Sequence, residues 1–375
     1  MGADQPIPSA AAPTTARFSI LALDGGGARG YLSVKILEHV EAHLNALTRE
    51  DLPLGARFDL IAGTSTGGIA ALALALGLTA HEVSALYETH IPQIFGPAMR
   101  RFRWTDSFRP RYRTAALRRA LQAFFAGRML GDVQTDVCVT AVSLVNAQPR
   151  VFRSNYVKSG ISRNDETLAD LAMATSAAPT FFEAHSTQHM TDLVDGSLCA
   201  SNPTLVGLVE AFRFSRPSRR GISPPHDLGA LCLYHLAVLS VGTGEQCAMP
   251  YDLDHLRTAG TLAWGAHFHD VSMESQTQLV HLLSKGLLGG AYRRINPRLD
   301  FPMAIDNIRK IAALKNLSEL SEDDEAFLRA YFTPPWEGDS SLSVESPAAT
   351  VLEDAPRKLM AGCLGRDLVG MSTLY

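Results

Sequence analysis

A serine framed by small residues, Gly63-Thr64-Ser65-Thr66-Gly67-Gly68, separates a short apolar run, Leu60-Ile61-Ala62, from a long one, Ile69-Ala70-Ala71-Leu72-Ala73-Leu74-Ala75-Leu76. Strand, glycine-flanked turn and helix in that order make a nucleophile elbow, in which the chain reverses within about two residues on a strained backbone. The hydroxyl is then presented at a helix N-terminus, where free N–H groups favour negative charge. Acyl transfer by a serine needs two further parts: a base for the hydroxyl proton and donors where the oxyanion forms.

Asp195 is the candidate base. It follows Leu193-Val194 and precedes Gly196, which predicts a carboxylate where a parallel strand ends, on the sheet edge that hosts ligands in open α/β folds. From there it would take the proton of Ser65 directly, as a dyad. Taken alone, Asp-Gly reads more simply as a turn, and Asp192 is a weaker rival for the same task. Hydrolases of the Ser-His-Asp type with an α/β fold carry their histidine late in the chain, yet none of the twelve histidines lies in a loop with small flanking residues after a late strand. His235 reads as a core or strand-edge residue, and His255, His267, His269 and His281 as surface residues.

The donors are expected in Asp24-Gly25-Gly26-Gly27-Ala28-Arg29-Gly30, which follows the strand-length run Phe18-Ser19-Ile20-Leu21-Ala22-Leu23. Gly25, Gly26 and Gly27 would expose successive N–H groups in a concave arrangement, with Arg29 anchoring the loop or assisting a phosphate. Gly25, Gly27 and Gly30 also satisfy the dinucleotide fingerprint G-x-G-x-x-G. That fingerprint wants an acidic residue at the end of the second strand, where this chain has its serine elbow instead. No grouping of His, Cys and carboxylates has metal spacing, so neither metal nor cofactor is expected.

The elements that must hold these residues follow from apolar periodicity. From Tyr31 onward, Leu32, Ile36, Leu37, Val40 and Leu44 form one helical face. The first 80 residues therefore read strand, glycine loop, helix, strand, elbow, helix, an α/β unit with a parallel sheet. Further on, a helix is expected over residues 114–130, strands at 137–143 and 151–154, and a helix over 167–174 that stops before Pro179. Asn202-Pro203 opens another helix with proline in its first turn. Residues 236–241 form a further core strand ending in Gly242-Thr243-Gly244, and acidic residues after Ser321 start a late helix.

With 375 residues, 46% of them hydrophobic, the chain can bury one large α/β core. A net charge of −4 excludes a generally basic nucleic-acid binder, so no nucleic-acid polymer is expected as partner. Five scattered cysteines without a C-x-x-C pair predict reduced thiols in a cytosolic protein. Residues 1–16 lack the basic and apolar regions of a secretory signal and read as a disordered lead-in. No charged residue lies between Asp59 and Glu82, a length that would suffice for a membrane span. The elbow in its first third demands a sharp turn, so a buried strand and a buried helix are expected there instead.

Taken together, these motifs resemble the bacterial patatin-like phospholipases. Residues 24–30 resemble that family's oxyanion loop and residues 63–68 its elbow. Ala174-Thr175-Ser176-Ala177-Ala178-Pro179-Thr180-Phe181-Phe182 resembles the segment leading to its aspartate, Asp195-Gly196 its Asp-Gly pair, and Ser240-Val241-Gly242-Thr243-Gly244 a family strand end. One departure is Ser197, where the family usually has glycine or alanine. The resemblance implies a three-layer α/β/α fold with a mainly parallel central sheet. It divides the chain into the lead-in 1–16, a catalytic domain 17–315 and a mainly helical extension 316–375 packed on it. It further implies a Ser65–Asp195 dyad cleaving membrane phospholipids, with Gly25, Gly26 and Gly27 as donors and Arg29, Gly30, Gly63, Gly67 and Gly196 in support. A patatin-shaped lipid-binding module with little turnover is the rival reading.

Compact proteins resembling this one include anti-phage effectors switched on by cyclic oligonucleotides. That implies a cytoplasmic enzyme acting at the inner face of the membrane, restrained until a cyclic dinucleotide binds away from Ser65 and stabilises an open or homo-oligomeric form. Arg213, Arg216, Arg219 and Arg220, and the pair Arg293-Arg294, are candidates for gripping phosphates. Between residues 100 and 113, six arginines alternate with four aromatics, which suits an anionic membrane interface as well as a solvated loop.

Overall fold

The computed structural model describes residues 17–96, 109–157, 164–228, 232–246, 253–258 and 260–333. Most of the arginine-aromatic stretch, the lead-in and everything after Thr333 lie outside the described residues. The strands are β1 (Phe18–Leu23), β2 (Leu60–Thr64), β3 (Asp136–Ser143), β4 (Gln148–Arg153), β5 (Leu193–Asp195), β6 (Leu236–Val241), β7 (Glu245–Gln246), β8 (Tyr292–Ile295) and β9 (Arg298–Leu299). The helices are α1 (Gly30–Thr48), α2 (Thr66–Ala75), α3 (Ala80–Phe95), α4 (Thr114–Phe125), α5 (Leu168–Ser176), α6 (Ser197–Ala200), α7 (Thr204–Ala211), α8 (Leu253–Arg257), α9 (Thr261–Leu288), α10 (Ile311–Leu314) and α11 (Glu322–Phe332).

β1 has no polar alternation because both its faces are covered. Leu21 and Leu23 point into a core shared with α1 to α5, whereas Phe18 and Ile20 point into a second core with Leu208 and Ala211 of α7. Ile61 and Leu60 of β2, and Leu239 and Val238 of β6, divide in the same way. A strand buried on both sides reads as a continuous apolar run, and the two cores make the fold a three-layer α/β/α sandwich. The sheet order is β4-β3-β2-β1-β6-β8, with β3, β2, β1, β6 and β8 parallel and β4 antiparallel at the edge.

The strand carrying Asp195 departs from expectation, because β5 runs antiparallel. β2 pairs with β3 only as far as Thr64, which lies opposite Thr140. β4 takes the other edge of β3 from Cys138 to Ser143, so the side that β2 vacates is free for β5, where Asp195 lies opposite Ala141. The carboxyl ends of β2 and β5 thus meet head-on beside β3. Asp195 enters from beyond the sheet edge and still arrives level with the elbow.

α11 begins with a capping box of Ser321 and Asp324. Its Phe327 and Leu328 are buried in the larger core, and the compact unit runs from Arg17 to Thr333. Pro203 caps α7 from just outside its first turn.

The elbow requires a close approach of α2 to β1. A Cβ on Gly67 would stand 2.3 Å from the Leu23 carbonyl oxygen and 2.5 Å from that of Asp24. Gly286, within α9, faces open space. Gly67→Ala is expected to lower unfolding stability by about 1–3 kcal/mol or more through overpacking against backbone. Gly286→Ala should raise it by roughly 0.5–1 kcal/mol through helix propensity. Urea unfolding of both variants checks this, and equal effects would contradict the packing argument.

Candidate active site

Ser65 adopts φ 55° and ψ −126°, outside the usual range for a residue with a side chain, as an elbow demands. Its N–H donates to Thr175 Oγ1 at 2.9 Å, and its carbonyl accepts the Ile69 N–H that closes the first turn of α2. The hydroxyl donates to Asp195 Oδ2 at 2.6 Å. The other carboxylate oxygen, Oδ1, accepts the Ser197 N–H at 2.7 Å. Ser65 is 7% exposed and Asp195 2%, so the pair is shielded from bulk water except through the pocket it lines.

The segment between α5 and β5 fixes both residues at once. The Asp195 N–H donates to the Ala177 carbonyl at 3.1 Å and the Gly196 N–H to the Thr175 carbonyl at 3.3 Å, while the Thr175 side chain holds Ser65. The sequence signal for Thr175 is slight: a small polar residue before Ser176-Ala177-Ala178-Pro179, in the segment that resembles the one leading to the family's aspartate. Gly196 must be glycine because a Cβ there would lie 2.1 Å from Thr140 Oγ1.

The glycine loop faces the same point, with one change in its donor set. The Gly25 N–H donates to the Ser201 carbonyl at 2.9 Å and is not free for an oxyanion, contrary to the expectation of three donors. Gly26 and Gly27 line the pocket beside Ser65, and their N–H groups have no partner among the described residues. Gly27 has φ 58°, and the Ile305 carbonyl lies 2.4 Å from where its Cβ would be. Thr66 fills the corresponding space at Gly30. These glycines are therefore used for close packing against Ile305 and Thr66.

Arg29 is buried and turned away from the apolar pocket into a small polar cavity that it shares with Asp24, Glu274 and Arg294. Burial lowers its pKa. Arg294 Nη2 donates to Asp24 Oδ2 at 2.6 Å and its Nη1 to Ser240 Oγ at 2.8 Å. This buried pair fastens the residue before Gly25 to β8. Burial pushes the Asp24 carboxyl up, against the opposing pull of Arg294.

In front of Ser65 and Asp195 lies a pocket of about 70 Å³, walled by Leu86, Ile91 and Phe95 of α3, Leu117 and Leu121 of α4, Phe181, Phe182 and Met273. Its lining is almost wholly apolar beyond the Ser65–Asp195 end. A hydroxyl bonded to a carboxylate, two free amides and an adjoining apolar slot can bind an acyl chain and place its carbonyl between nucleophile and oxyanion donors.

Residues 21–208 match the family model described as patatin-like phospholipase. The chain belongs to this family. It is similar to a cGAMP-activated phospholipase of Escherichia coli (strain TW11681), 34% identical over 206 residues that cover 52% of this chain and 56% of the relative. It is also similar to a cUMP-AMP-activated phospholipase of Escherichia coli, 32% identical over 202 residues covering 51% and 58%. Patatin-like protein 2 of Arabidopsis thaliana is 31% identical over 272 residues covering 66% and 65%. The chain spans a little more than half the length of the first two relatives.

Several charged residues of this patatin-like protein have other partners than those expected. Arg216 and Arg219 pair with Asp136 at 2.8 and 3.4 Å, and Arg220 pairs with Asp59 at 3.1 Å. Arg213 pairs with Glu210, and Arg293 with Asp324 at 2.6 Å. These guanidinium groups, with that of Arg294, are held by carboxylates of the fold and are not open phosphate grips. Arg111 pairs with Asp306 at 2.8 Å and lies over the Phe181 ring, and Tyr112 is buried. Both are packing anchors of the pocket wall.

His235 ends a 3-10 turn and is half-buried. His267 and His281 are half-buried as well, not surface residues, and His281 contacts the Tyr292 hydroxyl. The side chains of His255 and His269 lie outside the described residues. His90 lines the pocket, and its Nδ1 lies 3.3 Å from Gln93 Oε1. Among the described residues no cluster of His, Cys, Asp and Glu could hold a metal, and no helix is long and apolar enough to cross a membrane.

Cys199 lies four residues after Asp195, close enough to be a rival nucleophile. Although the residue is exposed at the surface, partial desolvation, reinforced by the Asp195 charge, pushes its thiol up to about 11, so little thiolate forms near neutral pH. Cys199→Ala is therefore expected to label with a fluorophosphonate within about threefold of the wild-type rate. A loss of labelling by a hundredfold would reassign the nucleophile.

Proposed function

We propose that the chain is a serine lipid acyl hydrolase that cleaves ester bonds of membrane phospholipids through an acyl-serine intermediate. Ser65 is the nucleophile, Asp195 the base, and the Gly26 and Gly27 N–H groups the oxyanion donors. The observation that carries this reading is the 2.6 Å bond from Ser65 Oγ to Asp195 Oδ2 at the end of an apolar pocket.

Asp195 removes the hydroxyl proton as Ser65 Oγ attacks the ester carbon, and the carbonyl oxygen gathers charge beside the two amides and the N-terminus of α2. The proton then passes from Asp195 to the departing alcohol, leaving the acyl group on Ser65. Water reverses these steps to release the fatty acid. The chain's similarity to enzymes named for phospholipid cleavage supports the substrate class. A pure lipid-binding module would gain nothing from a serine held at φ 55°, since strain of that kind persists where it serves a site.

Ser65→Ala and Asp195→Asn are each expected to reduce hydrolysis of a soluble ester by at least about a thousandfold, with the double variant no worse, because members of one catalytic unit do not contribute additively. Fluorophosphonate should label wild type and leave Ser65→Ala unmodified. Wild-type protein that hydrolyses no ester and takes up no label would leave the lipid-binding reading in its place.

We further propose that a cyclic dinucleotide switches this activity on, as the names of two relatives suggest, and that the enzyme then acts at the inner face of the membrane in the cytoplasm. The activator would stabilise a competent form through its greater affinity for that form. Phospholipid vesicles are incubated with the protein and a panel of cyclic di- and trinucleotides. Release of fatty acid is expected with one or two members of the panel and not without them, and full activity in their absence would exclude the switch.

A further inference from the structure

Ser197 is a second hydroxyl in the pocket. Its N–H holds Asp195 Oδ1, and it lines the same cavity as Ser65, Asp195, Gly26 and Gly27. A Cβ built on Gly25 would stand 2.5 Å from Ser197 Oγ and 3.2 Å from Ser65 Cβ, so both serines crowd one point on the loop. The Ser197 hydroxyl makes no hydrogen bond among the described residues, although Ser197 is only 3% exposed. The oxygen is not sealed in the core but opens to the pocket, where water or ligand can complete its hydrogen bonding.

Hydrolysis of the acyl-serine requires such a water. Once Ser65 Oγ is esterified it can no longer donate to Asp195 Oδ2, and Oδ1 is already held by the Ser197 N–H. The incoming water donates one hydrogen to Oδ2. Held by that bond alone it can swing about the carboxylate, and a second partner is required to aim its lone pair at the ester carbon. We propose that the Ser197 hydroxyl is this partner, accepting the second hydrogen of the deacylating water. The water oxygen bonds to the acyl carbon as its proton passes to Asp195, and the oxyanion forms beside Gly26 and Gly27. Collapse breaks the bond to Ser65 Oγ, which recovers the proton from Asp195, and the carboxylic acid leaves.

This inference rests on the acyl-serine reading, and the experiment separates the two. p-Nitrophenyl butyrate has a leaving group that makes acylation fast, so an initial burst reports acylation and the linear phase reports deacylation. In Ser197→Ala the burst rate and the rate of fluorophosphonate labelling, neither of which uses water, should match wild type. The linear phase should fall about tenfold, the worth of one hydrogen bond of roughly 1.4 kcal/mol. Acyl-enzyme should accumulate on Ser65 by intact mass. Ser197→Thr, which keeps the hydroxyl, should restore most of the linear rate. Burst and linear phase falling together, or neither falling, would overturn the assignment. Wild type with no burst and no label at Ser65 would remove the acyl-serine reading itself.

Discussion

Thr64 ends a strand and Thr66 begins a helix, so one residue makes the whole reversal between them. Ser65 does so with a left-handed φ, and its neighbourhood is arranged to tolerate that. Gly67 lets α2 press against the β1 carbonyls, and Gly63 lets the strand pass under the helix it has just become. The helix carries only alanine, leucine, isoleucine, glycine and one threonine because the sheet and α5 close it in on every side. Apolar burial of that extent offsets the strained turn many times over. The polar atoms of the elbow are met one by one: Thr175 takes the Ser65 N–H, Asp195 its hydroxyl, the Ile69 N–H its carbonyl, and Thr140 and Tyr87 bond the threonine hydroxyls on either side.

The two ends of the sheet have been given different work. At the amino end, Asp59 precedes β2 and Asp136 opens β3, both fully buried. Asp59 accepts the Ser19 N–H, the Ser19 and Ser218 hydroxyls and Arg220, and Asp136 accepts the Ser154 hydroxyl at Oδ1 and Arg216 Nη2 at both its oxygens. An isolated buried carboxylate would cost several kcal/mol, so the basic loop after α7 is there to neutralise strand starts. At the carboxyl end lie two comparably buried carboxylates, Asp24, fastened by Arg294, and Asp195, whose near oxygen is bonded to a hydroxyl that can leave it. The proposed chemistry sits at the end where one bond is exchangeable.

The elbow, the glycine loop and Asp195 were legible because each combines a rare local backbone demand with an apolar run that sets its place. Glycine at a forced turn and uninterrupted valine, isoleucine and leucine in a doubly covered strand are both written in residue types. The direction of β5 was not legible, since three residues carry no periodicity that separates parallel from antiparallel pairing, and only the shortness of β2 decides it. The commitment of the Gly25 N–H to Ser201 was hidden for a similar reason, being a contact between loops far apart in sequence. Arg216, Arg219 and Arg220 read as a free basic patch because their partners, Asp136 and Asp59, lie 80 to 161 residues away.

In the proposed dyad a carboxylate replaces imidazole as base and is the weaker proton acceptor, since unperturbed side chains differ by roughly 2.5 pKa units. The structure offsets that with placement. An imidazole must be held by a third residue to present the correct nitrogen, whereas either oxygen of a carboxylate accepts without a tautomer to choose. One oxygen of Asp195 is immobilised by the chain two residues on, and the head-on meeting of β2 and β5 delivers the other to Ser65 through short backbone segments with no long side chain to order. A dyad built this way loses proton affinity and gains rigidity. It also spares the pocket a bulky ring, so the apolar slot can run to within contact of the reacting carbon, which suits an acyl chain better than a head group.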